Sequence, residues 1–268
     1  MWRASVLALA LIGCSATLGD DPIGSTVVDA NGGGGGNGGG NGSGNGSGNG
    51  SGNGSGSGMQ PDAGTAAACA NGRKLYLNFD GVTLTRATPS DSTQNRVSWM
   101  SNATATVPPF HQNSGTRAAD ILTIVNGVKS RLTGLPIEVV TTRPAAGPYV
   151  MVVLGGDRND VGTNYSFATN EHDCGDVVKN DVGWISDEPS VSYVQDLVIG
   201  TVGWGVGLNG TSSPTDCMCA WANDCESASG ACTLSASIAS TTSSSPATTC
   251  PNQNPQNEIA AFSTKFCQ

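Results

Sequence analysis

Apolar residues along this chain repeat with two periods, and the places where the period changes mark the elements. In Lys74-Leu-Tyr-Leu-Asn-Phe-Asp-Gly81, Leu75, Leu77 and Phe79 recur every second residue, which predicts a strand ended by Asp80-Gly81. Val82 to Gln112 shows no sustained period and reads as a loop. From Asn113 or Ser114 to Leu132, apolar residues recur at three- and four-residue steps (Ala118, Ile121, Leu122, Val125, Val128, Leu132). That spacing predicts a helix, stopped by Gly134. Pro136 to Thr142 reads as a second strand and Tyr149 to Leu154 as a third, the latter apolar enough to be central in a sheet. Gly155-Gly156 ends it. A loop carrying Tyr165 and Phe167 leads to a short strand over Asp181 to Ser186, then a helix over Val191 to Val206. Asn257 to Phe266 reads as a closing helix with Ile259, Phe262 and Phe266 on one face.

The order is therefore strand, helix, strand, strand, edge strand, strand, helix. It predicts an α+β fold: a mixed twisted sheet with two main helices, followed by a C-terminal part rich in cysteine. About 200 residues, 69–268, are enough for one sizeable core.

What precedes residue 69 is of another kind. Residues 1–13 have the character of a signal peptide, with Arg3 ahead of a short apolar core, too short to span a bilayer as a stable helix. Leu11-Ile-Gly-Cys14 resembles the bacterial lipobox, in which the cysteine thiol receives a diacylglyceryl group. The resemblance implies a membrane anchor on Cys14 and a place in the cell envelope. Ser15 rather than Asp after it, by resemblance to enterobacterial sorting, implies the outer membrane or cell surface. Residues 14–68 are expected to be a disordered linker, and within them residues 31–58 are Gly, Asn and Ser only. As a Gly-rich coil that stretch spans about 30 Å.

A net charge of −9, with Lys plus Arg at 12, argues against nucleic acid as a partner, while a protein or peptide partner stays open. With Cys14 set aside, eight of the nine cysteines remain: Cys69, Cys174, Cys217, Cys219, Cys225, Cys232, Cys250 and Cys267. An even number in an exported chain predicts disulfides throughout. Cys217, Cys219 and Cys225 lack the paired spacing of a zinc knot.

The stretch from Asp196 to Thr211 organises the rest. Read with its turn glycine on Gly207, it has the frame of His-Glu-x-x-His-x-x-Gly-x-x-His without the ligands. The three His positions fall on Gly200, Trp204 and Gly210, and the Glu position on Thr201. Asp216-Cys-Met-Cys-Ala-Trp221 resembles a methionine turn, with Met218 in the Met position, and Leu-Asn-Phe-Asp-Gly at 77–81 resembles the opening strand of secreted metzincin-like proteases. The domain thus resembles the metzincin zinc metalloproteases. The resemblance implies a descendant of that family that has lost its catalytic residues and binds no zinc or other cofactor. Gly205-x-Gly207-x-x-Gly210 also satisfies a dinucleotide-binding pattern, but the following Thr211-Ser-Ser-Pro214 is a poor helix start. A buried Gly-rich helix with no enzymatic ancestry is the remaining reading of the stretch.

Only two histidines exist, His111 and His172, so a three-His site is impossible in any alignment. Glu171-His172-Asp173 with Asp176 is the densest set of possible ligands and is the alternative, an unusual zinc peptidase site around His172. His111 reads as a loop residue. A serine hydrolase would need an elbow such as Gly-x-Ser-x-Gly, which is lacking. Three classes follow: a non-catalytic binding or structural module, an active zinc peptidase, or an unrelated disulfide-rich surface lipoprotein.

Overall fold

The computed structural model describes Cys69 and residues 72–219, 231–241 and 249–268, all within the compact unit Gly58–Gln268. The expected signal peptide, Cys14, the linker and Cys225 lie outside the described residues.

Five strands form the main sheet: β1 (Lys74–Asn78), β5 (Glu138–Val140), β6 (Tyr149–Leu154), β7 (Ala168–Thr169) and β8 (Val182–Ile185). Their order is β5-β1-β6-β8-β7. Four run parallel, and β7 pairs antiparallel with β8 at the edge. Helix α1 (Arg117–Arg131) immediately precedes β5, α3 (Val191–Gly205) follows β8, and α4 (Glu258–Phe266) closes the chain. A single-turn helix, α2 (Arg158–Val161), sits between β6 and β7.

Every residue of β6 is buried because both faces of the sheet are covered. Val150, Val152 and Leu154 join Leu75, Leu77 and Ile185 against α1 and α3. Tyr149, Met151 and Val153 join Tyr76, Val182 and Trp184 on the other face. A second sheet covers that second face: residues 82–112, expected as a loop, contain β2 (Val82–Arg86), β3 (Arg96–Val97) and β4 (Thr104–Val107), ordered β3-β2-β4. Val82-Thr-Leu-Thr-Arg86 and Thr104-Ala-Thr-Val107 do alternate, but each alternation is only four or five residues long and buries one or two side chains (Leu84; Ala105 and Val107), with Val97 alone from β3, so no sustained period shows in the sequence.

The helices at 191–205 and 258–266 match their expected spans to within a residue, while α1 begins at Arg117, three residues or more later than expected, and two faces differ. On α1, Ile124 is buried and Leu122 is 61% exposed, so the stripe is narrower than the apolar pattern implied. On α4, Glu258 joins Phe262 and Phe266 inside while Ile259 is left largely outside. Glu258 is admitted because Ser235 N–H and Gln256 Nε2 donate to its carboxyl at 2.9 and 2.8 Å. The two ends of the domain meet at Arg73, which is fully buried. It pairs with Asp176 at 2.7 Å, and its Nε and Nη2 donate to the Lys265 carbonyl.

Three disulfides lie within the described residues, Cys69–Cys267, Cys174–Cys250 and Cys217–Cys232. Cys219 is also disulfide-bonded.

Candidate functional site

Helix α3 is buried nearly all round, so amphipathic patterning alone would not define its seat. Its N-terminus is capped by Ser190, whose side chain accepts from the Tyr193 N–H at 3.3 Å. Glycine inside a helix costs up to about 1 kcal/mol against alanine. α3 tolerates Gly203 and Gly205 because close neighbours occupy the space a Cβ would need: Met218 Sδ at Gly203, and the Asp181 carboxylate with Asn170 Nδ2 at Gly205. Met218 is therefore packed directly on the last turn of α3. It is fully buried, at the start of a helical turn whose Met218 N–H is held by Asp216 Oδ1 at 2.9 Å.

The helix stops in a left-handed turn. Gly207 has φ +87, its N–H donates to Trp204 O at 3.0 Å, and Leu208 N–H reaches back to Gly203 O at 2.8 Å. This pair of bonds is the Schellman arrangement, which favours glycine at the left-handed position. The same geometry removes the dinucleotide reading: Gly205-x-Gly207-x-x-Gly210 closes a helix instead of opening one, so no helix N-terminus faces a phosphate there.

The positions singled out around this turn lie close together in the chain but present no metal donors. Gly200 and Gly210 are buried and have no side chain. The Thr241 N–H donates to Gly210 O at 2.7 Å, so the C-terminal part wraps that position. Thr201 is fully buried, its methyl lies against Gly183 of β8, and its hydroxyl has no hydrogen-bond partner among the described residues. Trp204 is half-buried, and its indole stacks on the imidazole of His172 with ring centroids 3.7 Å apart. Indole offers one N–H donor and no lone pair in the ring plane, so it cannot ligate as imidazole does. Zinc held as in a metallopeptidase needs about three such donors and an open position, and these residues do not fit it.

The second set of possible ligands diverges. Glu171 turns to the hydroxyls of Ser90 and Ser98. Asp173 accepts from the Gly175 and Val178 amides of its own loop, and Asp176 is committed to Arg73 and Lys179. His172 alone points to α3, with Nε2 at 3.0 Å from Leu208 O and 3.1 Å from Cys250 Sγ. His172, Cys174 and Cys250 place ligand atoms within 4.8 Å of one another, but both sulfurs belong to one disulfide and are not thiolates.

The residues most perturbed electrically were not visible in the motif. Asp181, beneath α3, is pushed up to about 7 by burial, against the opposing hydrogen bonds from Asn170 and the Val182 N–H. Asn170 also donates to Thr201 O at 3.0 Å and so couples the loop before His172 to the helix. His111 lies elsewhere, in a loop with φ +45, between Asp120 Oδ2 at 3.0 Å and Asp187 O at 3.2 Å. No serine hydroxyl accompanies it in those contacts.

Searched against protein-family models and against curated proteins, the sequence matches none.

Proposed function

We propose that residues 69–268 form a metzincin-like domain that no longer hydrolyses peptides and serves as a binding or structural module of a surface lipoprotein. The observation that carries this reading is a retained frame with unsuitable contents. A helix ends at the Gly207 turn, Met218 packs on Gly203 beneath it, and Gly200, Thr201, Trp204 and Gly210 stand at the four functional positions. Outside the small sheet at 82–107, the main sheet and its helices keep the succession read in the sequence, strand, helix, strand, strand, edge strand, strand, helix, with only the edge strand antiparallel. Zinc hydrolysis requires a metal that lowers the pKa of its bound water and a base that accepts the proton. Neither glycine, indole nor a buried threonine hydroxyl supplies these parts.

Elemental analysis of the purified full chain after dialysis, with a peptide cleavage assay with and without chelator, tests the reading. The expected result is substoichiometric zinc and no chelator-sensitive cleavage. One equivalent of zinc with cleavage lost in His172→Ala would establish an enzyme with a relocated site.

The anchor belongs to the same proposal and rests on Leu11-Ile-Gly-Cys14. A second acyl chain on the new N-terminus would make attachment stable where one chain does not. Incorporation of labelled palmitate is expected in the parent and absent in Cys14→Ala; equal labelling of the two would remove the anchor.

A further inference from the structure

We propose that Cys174–Cys250 is a thiol–disulfide exchange site, in which Cys174 is the sulfur attacked, Cys250 the sulfur that leaves, and His172 the group that donates a hydrogen bond to the leaving thiolate. The two sulfurs are unequal in access. Cys174 is exposed, whereas Cys250 is buried at 2% exposure, so an incoming thiolate reaches Cys174 Sγ first. They are also unequal in surroundings. His172 Nε2 lies 3.1 Å from Cys250 Sγ. It also lies 3.0 Å from Leu208 O, and a carbonyl oxygen only accepts, so Nε2 carries the proton. That N–H sits between the carbonyl and the sulfur. Stacking on Trp204 holds the ring so that its edge faces Cys250.

The step balances without a metal or an oxidant. A thiolate RS⁻ attacks Cys174 Sγ, the Cys174–Cys250 bond breaks, and its electron pair leaves on Cys250 Sγ. The products are a mixed disulfide at Cys174 and a Cys250 thiolate that accepts a hydrogen bond from His172 Nε2–H. A second thiolate attacks the outer sulfur of the mixed disulfide, releasing RSSR and a Cys174 thiolate, which takes a proton from water. Exchange is faster when the leaving thiolate is stabilised, and an N–H donated to an anion makes a strengthened hydrogen bond that does this. The fold contains its own comparison. Cys267 is also exposed, but its bond to Cys69 has no histidine beside it, since the other histidine is held by Asp120 and Asp187. Cys217–Cys232 is buried on both sides.

The experiment treats the purified full chain with 2-mercaptoethanol, an uncharged monothiol, quenches with acid, alkylates and maps peptides by mass spectrometry. The first adduct is expected on Cys174, with Cys250 appearing as the alkylated thiol. His172→Phe keeps a ring on Trp204 and removes the N–H, and should slow this exchange roughly tenfold. His172→Gln keeps an N–H donor and should restore most of the rate. Neither change should alter the rate at Cys69–Cys267. A first adduct on Cys250, or a His172→Phe rate equal to that of the parent, overturns the proposal.

Discussion

The imidazole of His172 lies flat against the indole of Trp204, the ring planes inclined by only 17°. One ring belongs to the last turn of α3 and the other to a loop that Cys174–Cys250 ties to the C-terminal part. The stack therefore joins two segments that the chain itself keeps 32 residues apart (204 − 172). In the proposed reading it also fills the space at the second ligand position, so the loss of a ligand there is a gain in packing.

Trp204→Ala should accordingly destabilise the domain by about 2 kcal/mol, less than the loss of a fully buried Trp because this one is half-exposed. Trp204→Phe keeps a ring and should lose less than half of that. Chemical denaturation with the disulfides intact measures both. An alanine variant as stable as the parent would show that the stack contributes nothing.

Much of this fold was legible in the sequence where one side chain in two or three faces a single core. The period of two in Leu75 and Leu77, and the unbroken apolar run of Tyr149–Leu154, gave β1 and β6. The second sheet was not legible, because two-residue β3 and four-residue β4 bury only Val97, Ala105 and Val107 between them. Its stability comes from covering Met151, Val153 and Trp184, a tertiary fact that no local period records. The site divides in the same way. The Gly207 turn follows from chain-local rules, since a left-handed residue after a helix favours glycine. The approach of His172 to Trp204 goes with long-range bonds, Asn170 to Thr201 O, His172 to Leu208 O and a disulfide with a sequence separation of 76, and spacing alone does not fix such pairings.

Three glycines separate backbone strain from steric conflict. Gly115 has ordinary φ and open space around its missing Cβ, so Gly115→Ala should be neutral or slightly stabilising. Gly134 has φ +84 with nothing within 4 Å, so Gly134→Ala should cost about 1 kcal/mol from the left-handed conformation alone. Gly207 has φ +87, and its Cβ would lie 2.6 Å from Asp173 O and 2.9 Å from Cys174 Cα. Gly207→Ala should cost roughly 2–3 kcal/mol or more, because both effects act together. The order of denaturation midpoints is the check. A Gly207 variant no weaker than the Gly134 variant would mean that the 173–174 loop yields freely.

The stability of the domain should fall as pH rises from about 5 to about 8.5. Asp181 is pushed from 3.8 up to about 7, chiefly by burial beneath α3. Glu258 is pushed from 4.5 up to about 8, chiefly by burial and then by the neighbouring charge of Asp216. Each carboxyl holds its proton more tightly in the folded chain than in the unfolded one. Each therefore adds stability that is complete below its ordinary value and is lost as pH rises through its raised one. The opposite shift at Asp120, lowered by Thr116 and His111, acts only below the ordinary carboxylate range and leaves this window untouched. The combined loss is on the order of a few kcal/mol, seen as a Tm several degrees lower at the alkaline end. Asp181→Asn should flatten the part of the curve approaching pH 7, and Glu258→Gln the part approaching pH 8, because neither amide can ionise. Calorimetric melting across the range decides it. A parent protein whose Tm climbs steadily with pH would show that these two carboxyls are ionised in the folded chain, with enough solvent or hydrogen bonding to remain so.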